Sequence, residues 1–179
     1  MIEKRTRFFL AVEGESERAF ARWLQELANK SLHVHLDYYL LDGGGYETML
    51  SAAVRHHKKG VATKGVYRGR FLIVDSDRAQ LGDWSMAQLR DEAAKHQITV
   101  CFQKPKFEAV LFRMTPGKEN AVVTAAAAKN LLEAVWPAYE KPVDARSLGR
   151  HFTLDDLLRM ATLDEDFRNL LQKIGLMQV

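Results

Sequence analysis

Glu13 and Glu17 stand four residues apart just after a short apolar run, Phe8-Phe-Leu-Ala-Val12. Asp75 and Asp77 stand two apart just after another, Phe71-Leu-Ile-Val74. Oxygen ligands of this kind suit hard divalent cations, because Mg²⁺ takes a compact octahedron and is commonly held by one or two carboxylates plus substrate phosphate. Carboxylates gathered at one place repel one another by on the order of several kcal/mol unless a cation lies between them. Two cations would suit phosphodiester cleavage, one activating water and the other stabilising the leaving oxygen. Lys104 or Lys106 would then neutralise charge developing on the phosphate. Each pattern alone has a plainer reading: Asp-x-Asp serves as a strand-end cap, and paired Glu residues favour a helix N-terminus through its dipole. Their joint occurrence after two strands points to a site.

Those residues need elements to position them. Arg7 to Glu13 reads as a buried strand, and a helix follows in which Ser16 is the expected cap and Ala19, Phe20, Trp23, Leu24 and Leu27 repeat at helical spacing. Val34 to Leu41 is a second strand, closing at Asp42-Gly-Gly-Gly45. Met49, Leu50, Ala53 and Val54 mark a helix that runs into a basic loop. Phe71 to Val74 is the third strand; Trp84, Leu89 and Ala93 mark the next helix, and Ile98 to Phe102 the fourth strand. Alternating strands and helices, with near-continuous apolar strands, predict an α/β fold: a four-stranded, mainly parallel sheet flanked by helices. In such sheets ligands sit beyond the carboxyl ends of the strands. Glu17 falls one helical turn after Glu13, and Asp75 and Asp77 point the same way if the backbone stays extended.

From Lys104 onward the strand signals stop. Phe107 to Met114 reads as helical, and Ala121, Ala125, Ala128, Leu132, Val135 and Trp136 form an apolar stripe ending before Pro137. Thr153 with Asp156, and Thr162 with Glu165, resemble capping boxes. The expected organisation is an α/β domain over residues 1–114 with a helical extension over 115–179 packed on it as one compact unit. A weak boundary falls at Tyr139 to Leu148, with a helical hairpin after it.

Composition excludes several classes. Hydrophobic residues are 47% and charged ones 27%, the balance of a globular chain. No apolar run approaches the roughly 18 residues of a membrane span, and the N-terminal apolar run is shorter than the about 7 to 15 residues of a secretory core, so a cytoplasmic protein with no membrane partner is expected. The single cysteine, Cys101, rules out an internal disulfide and a Cys-rich zinc site and is expected in the core. Net charge is only +3, but Arg55, Lys58, Lys59, Lys64, Arg68 and Arg70, with His56 and His57, form a stretch with no acid. It reads either as a solvated loop or, together with Lys106, as a contact for nucleic-acid phosphate. Gly43-Gly44-Gly45 lacks the Lys-Ser/Thr of a P-loop and reads as a strand-to-helix turn. His33 and His35 have no third ligand in sight, and Trp84 reads as packing.

The segment Val12-Glu-Gly-Glu-Ser-Glu17 after a strand, with Ile73-Val-Asp-Ser-Asp77 ending a later one, resembles the Toprim domain of topoisomerases, bacterial primases, recombination proteins and OLD-family nucleases. The spacing of Glu13 and Glu17 is closest to the OLD and RloB-like branch. Lys104-Pro-Lys-Phe-Glu-Ala-Val-Leu111 is similar to the Asn-Pro-x-Phe-Glu-x-Trp-Leu segment of RloB-like proteins, which are associated with restriction and phage-defence loci. It departs from the family pattern at Lys104 and Val110, where Asn and Trp are typical, and Met114 stands near an expected His. The resemblance implies that Glu13, Glu17, Asp75 and Asp77 bind Mg²⁺ or Mn²⁺, that Glu13 also serves as acid or base, and that Glu108 is a further ligand or orienting group. It implies a metal-dependent nuclease with nucleic acid as partner. The other readings are a Toprim-fold binding or regulatory subunit acting with a separate ATPase or effector, and phosphotransfer on an aspartate.

Overall fold

The computed structural model describes residues 5–82 and 84–178, with only the backbone of 80 and 81. The elements, in order, are β1 (Thr6–Val12), α1 (Glu15–Ala28), β2 (Val34–Leu40), α2 (Tyr46–Lys64), β3 (Gly69–Asp75), a 3₁₀ segment (Ser76–Leu81), α3 (Met86–Lys95), β4 (Thr99–Gln103), α4 (Phe107–Met114), α5 (Ala128–Val135), α6 (Ala145–His151), α7 (Leu154–Ala161) and α8 (Glu165–Ile174). The α/β expectation holds. The four strands are all parallel, in the order β2-β1-β3-β4. The chain moves from β1 outward to β2, then crosses back to β3 on the other side of β1. The switch point therefore lies between β1 and β3, where Val12 pairs with Ile73.

Both faces of the sheet are covered, which is why its strands read as unbroken apolar runs. On one face Phe9, Ala11, Leu72, Val74 and Phe102 pack against α2 and α3. On the other Phe8, Leu10, Val12, Ile73 and Cys101 pack against α1 and α4, and the same core continues into α5 to α8. Phe20 of α1 meets Phe107 and Phe167 edge-on, at 5.6 and 6.0 Å between ring centres. Asp166 of α8 accepts two hydrogen bonds from Arg90 of α3, at 2.7 and 2.9 Å, and pairs with Lys104 at 2.9 Å. The C-terminal helices thus share their core and their charged contacts with the sheet. Among the described residues, no helix is long and apolar enough to cross a membrane.

Several local expectations need correction. Ser16 does not cap α1. Gly14 holds that position without a side-chain bond, while the buried Ser16 hydroxyl accepts from the backbone of Val143 at 3.3 Å. The basic stretch from Arg55 is not a loop, because α2 runs on to Lys64. His57 and Gly60 continue its inner face where apolar residues were sought; His57 meets the rings of Phe9 and Tyr67. The backbone does not stay extended after Asp75, since the 3₁₀ segment begins at once. Of the apolar stripe from Ala121, only Ala128 to Val135 forms an α-helix. Thr153 does form a capping box with Asp156, but α8 is capped by Asp164, and Thr162 closes α7 instead.

Phe167 lies fully buried between α1 and the sheet. Replacing it with Ala is expected to cost about 3–5 kcal/mol. In urea, far-UV circular dichroism and tryptophan fluorescence should fall in one coincident transition. A separate early loss of helix would show that the C-terminal helices unfold on their own.

Candidate functional site

The sheet delivers its acids to one edge. Glu13 follows β1, Asp75 ends β3, and the two strands are neighbours. The Glu13 carboxylate accepts from the Asp75 backbone N–H at 3.0 Å, so the two tips meet directly at the switch point. Glu17 turns back over Gly14, where a Cβ would lie 3.0 Å from its Oε2, so a larger residue there would push the carboxylate slightly aside. Asp75 Oδ1 accepts from the Phe107 N–H at 3.0 Å, at the start of α4. Asp77 N–H and the Ser76 hydroxyl both donate to the Pro105 carbonyl, at 3.1 and 3.3 Å. These bonds stitch the Asp-Ser-Asp segment to the Lys-Pro-Lys-Phe-Glu segment and bring Glu108, on the first turn of α4, beside the others.

The resulting cleft has a volume of about 450 Å³; Glu13, Glu17, Asp75, Arg78 and Lys141 line it, with Asp42 and Gly43 at the rim. Asp42, Gly43 and Gly44 have φ of 60°, 74° and 105°, so the turn after β2 needs its glycines for backbone reasons. Glu13, Glu17 and Glu108 are only 4%, 7% and 1% exposed. Such burial opposes ionisation, and the neighbouring acids add to it. Burial raises the Asp75 carboxyl to about 9, helped by the charges of Glu13, Glu17, Asp77 and Glu108. Glu17 is raised to about 7, first by burial and further by Glu13 and Glu108, against the pull of its own backbone N–H and of Lys141.

Two cations offset part of this crowding. Arg78 Nε donates to Glu13 Oε1. Lys141 pairs with Glu108 Oε1 at 2.6 Å and, despite burial, brings that carboxyl below its ordinary range. Neither residue was singled out in the sequence. Arg78 had a signal, since it directly follows Asp-Ser-Asp; Lys141 had none, arriving from a distant loop. Lys104, expected at the phosphate, is instead bound to Asp166, and its place in the cleft is taken by Arg78 and Lys141. Lys106 is half-buried at the N-cap of α4, close enough to favour the ionised form of Glu108. Asp77 borders the cleft without lining it, because the 3₁₀ turn carries it aside.

The remaining basic residues lie elsewhere. Tyr46, at the start of α2, donates to the Asp75 carbonyl at 3.0 Å. Lys64, at its other end, meets Arg7 at the start of β1 through its carbonyl and pairs with Asp37 at 2.8 Å. A helix of this length spans about 28 Å, so Lys58, Lys59, Lys64 and Arg68 flank the opposite edge of the sheet, with Arg55 midway. Arg70, on β3, binds Gln97 at 2.6 Å. The structure does not bring this stretch to the carboxylates.

Among the described residues no three His, Cys, Asp or Glu side chains stand ready-made as a metal-binding group. Arg78 and Lys141 occupy one oxygen each of Glu13 and Glu108. The donor set is nevertheless one for a hard cation, all oxygen with no histidine or thiol. Buried Glu108 Oε2 has no hydrogen-bond partner, and neither do the Tyr139 hydroxyl nor the amide of Gln103, the residue in register with Asp75. The residues fit a divalent ion in chemistry and in unsatisfied oxygen. No protein-family model, curated protein or solved structure matches the chain.

A carboxyl whose pKa is higher folded than unfolded favours folding below its unfolded value, and that contribution disappears as pH rises through the folded one. For Asp75 the window runs from 3.8 to about 9. Between pH 7 and 9 the melting temperature of the metal-free protein should therefore fall, and Asp75→Asn should flatten the slope and melt higher at pH 8. An equal slope in the variant would contradict the crowding of acids at this edge.

Proposed function

We propose that this chain is a Mg²⁺- or Mn²⁺-dependent nuclease of the Toprim type, acting on nucleic acid in a bacterial or phage defence setting. The observation that carries the reading is the direct meeting of Glu13 and Asp75 at the switch point of a parallel sheet, with Glu17 and Glu108 buried around them. Glu13, Glu17, Asp75 and Glu108 would hold the ion, and Asp77, at the border of the cleft, would add its charge from outside the ligand shell. A bound ion would supply a water nucleophile at neutral pH and polarise the scissile phosphate.

The chain's own residues have separable parts in this. Asp75 and Glu17, held toward the protonated form by burial and by their neighbours, would give up protons as the ion binds, so affinity should rise with pH. Arg78 and Lys141 reach into the cleft from partly exposed positions, suited to neutralising charge on a phosphate. Glu13, bonded to the Asp75 backbone, is fixed in place to move a proton to or from water.

The pairs Arg78–Glu13 and Lys141–Glu108 favour a second reading. A cleft whose acids are matched by its own cations would serve a binding subunit working with a separate ATPase or effector protein. Cleavage assays with Mg²⁺ or Mn²⁺ on single-stranded, duplex and transfer-RNA substrates separate the two. The nuclease should lose activity with Asp75→Asn plus Asp77→Asn, and Arg78→Ala should lower it by about 100-fold. Cleavage that survives the double Asp variant ends the nuclease reading, and calorimetry showing no Mn²⁺ binding favours the subunit.

A further inference from the structure

The carboxylate cleft is not isolated. A second cavity of about 430 Å³ adjoins it, sharing Glu15 and Pro142, and runs over Arg18, Arg22 and Tyr38. A third, of about 740 Å³, shares Arg22 and Ala145 with the second and continues past Lys30, Arg146 and Arg150. Sharing these residues, the three line up as a trough between the outer side of α1 and the stretch that runs from Pro142 through α6. From Glu15 to Lys30 the trough follows about 22 Å of chain at helical rise.

Its charge is mixed but favours cations. Arg18, Arg22, Lys30, Arg146 and Arg150 are all exposed. Against them stand Glu15, Glu26 and Asp144. Glu15 pairs with Arg18 at 2.6 Å and Glu26 with Arg22 at 3.4 Å, both solvent-exposed pairs within one helix, which are weak and readily exchanged. Asp144 is engaged in capping α6. A polyanion laid along the trough would therefore meet five cations, while its end would reach the acids and Arg78.

We infer that this trough binds a single nucleic-acid strand and leads it into the carboxylate cleft. The inference rests on the reading of that cleft as a phosphodiester-cleaving site. Continuity with the cleft selects this surface over the basic stretch of α2, which flanks the opposite edge of the sheet. A concave track with spaced cations and one half-buried tyrosine suits an unpaired strand, whose phosphates would follow the charges while a base meets Tyr38.

The test measures binding separately from cleavage. Fluorescence anisotropy of labelled oligo-dT and oligo-U, in Ca²⁺ to suppress turnover, is followed against salt concentration. Replacing Arg18, Arg22, Arg146 and Arg150 together by Gln should weaken binding at least tenfold and reduce the salt slope by about 3, since each phosphate contact on a single strand contributes about 0.7. Arg55→Gln with Lys58→Gln and Lys59→Gln should leave both unchanged. Circular dichroism checks folding, and Arg18→Glu with Arg22→Glu repeats the test should the fourfold variant unfold. Loss of binding in the α2 variant with none in the trough variants overturns the inference, as does a preference for duplex over single strand. Trough-dependent binding without any cleavage by the wild type would uphold the trough and sink the nuclease reading alone.

Discussion

Like charges forced together at one edge of the sheet are the constraint around which the rest is arranged. β1 and β3 are neighbours, so residues that follow them must meet, and here both are acids. Left alone, several carboxylates in a partly buried cleft would oppose folding. The chain relieves this in three ways. Arg78 and Lys141 pair with Glu13 and Glu108. Asp75 and Glu17 hold protons more tightly than an ordinary carboxyl does. Asp75 also accepts from the first N–H of α4, where a helix offers partial positive charge.

The C-terminal third belongs to this arrangement. Lys141 comes from it, and so does Tyr139, whose buried hydroxyl feels the charges of Glu108 and Glu17. Ser16, one residue before Glu17, accepts from Val143 and so holds that loop against the cleft. On the far side Asp166 clamps α8 to Arg90 and Lys104. The extension is therefore a wall of the site as well as a cover for the sheet, and its shared core with α1 and α4 makes the two inseparable in packing.

The strands were legible because burial on both faces writes them as plain apolar runs, and each was found within a residue or two of its observed ends. The acids at their tips were legible for the same reason, as polar residues abruptly ending such runs. What escaped depends on contacts distant in sequence. Ser16 had the right type and place for a cap, but a loop far along the chain claims its hydroxyl. Lys104 stands in the resembling segment, yet Asp166 of the last helix claims it. The inner face of α2 uses His57 and Gly60, which carry no hydrophobic signal, so the apolar pattern of the helix stops well before its end at Lys64. The path of Asp77 turns on a backbone change directly after Asp75 that alternation does not foresee.

Burial divides the cleft into fixed and movable charge. Glu13 and Glu108 have side chains 5% and 2% exposed, while their partners Arg78 and Lys141 are 34% and 54% exposed. The acids are held by the sheet, by α4 and by backbone hydrogen bonds; the cations reach in from the rim on long, flexible stems. Any ligand entering the cleft can therefore displace the basic ends of these pairs at modest cost, but not the acidic ends. If the cleft works as proposed, a divalent ion taking the carboxylates would release two cations at its mouth, on the path of an anionic substrate. On the proposed reading, the same pairs that offset the acids in the metal-free cleft would leave positive charge placed to receive a phosphate, an exchange of partners that needs no rearrangement of the fold.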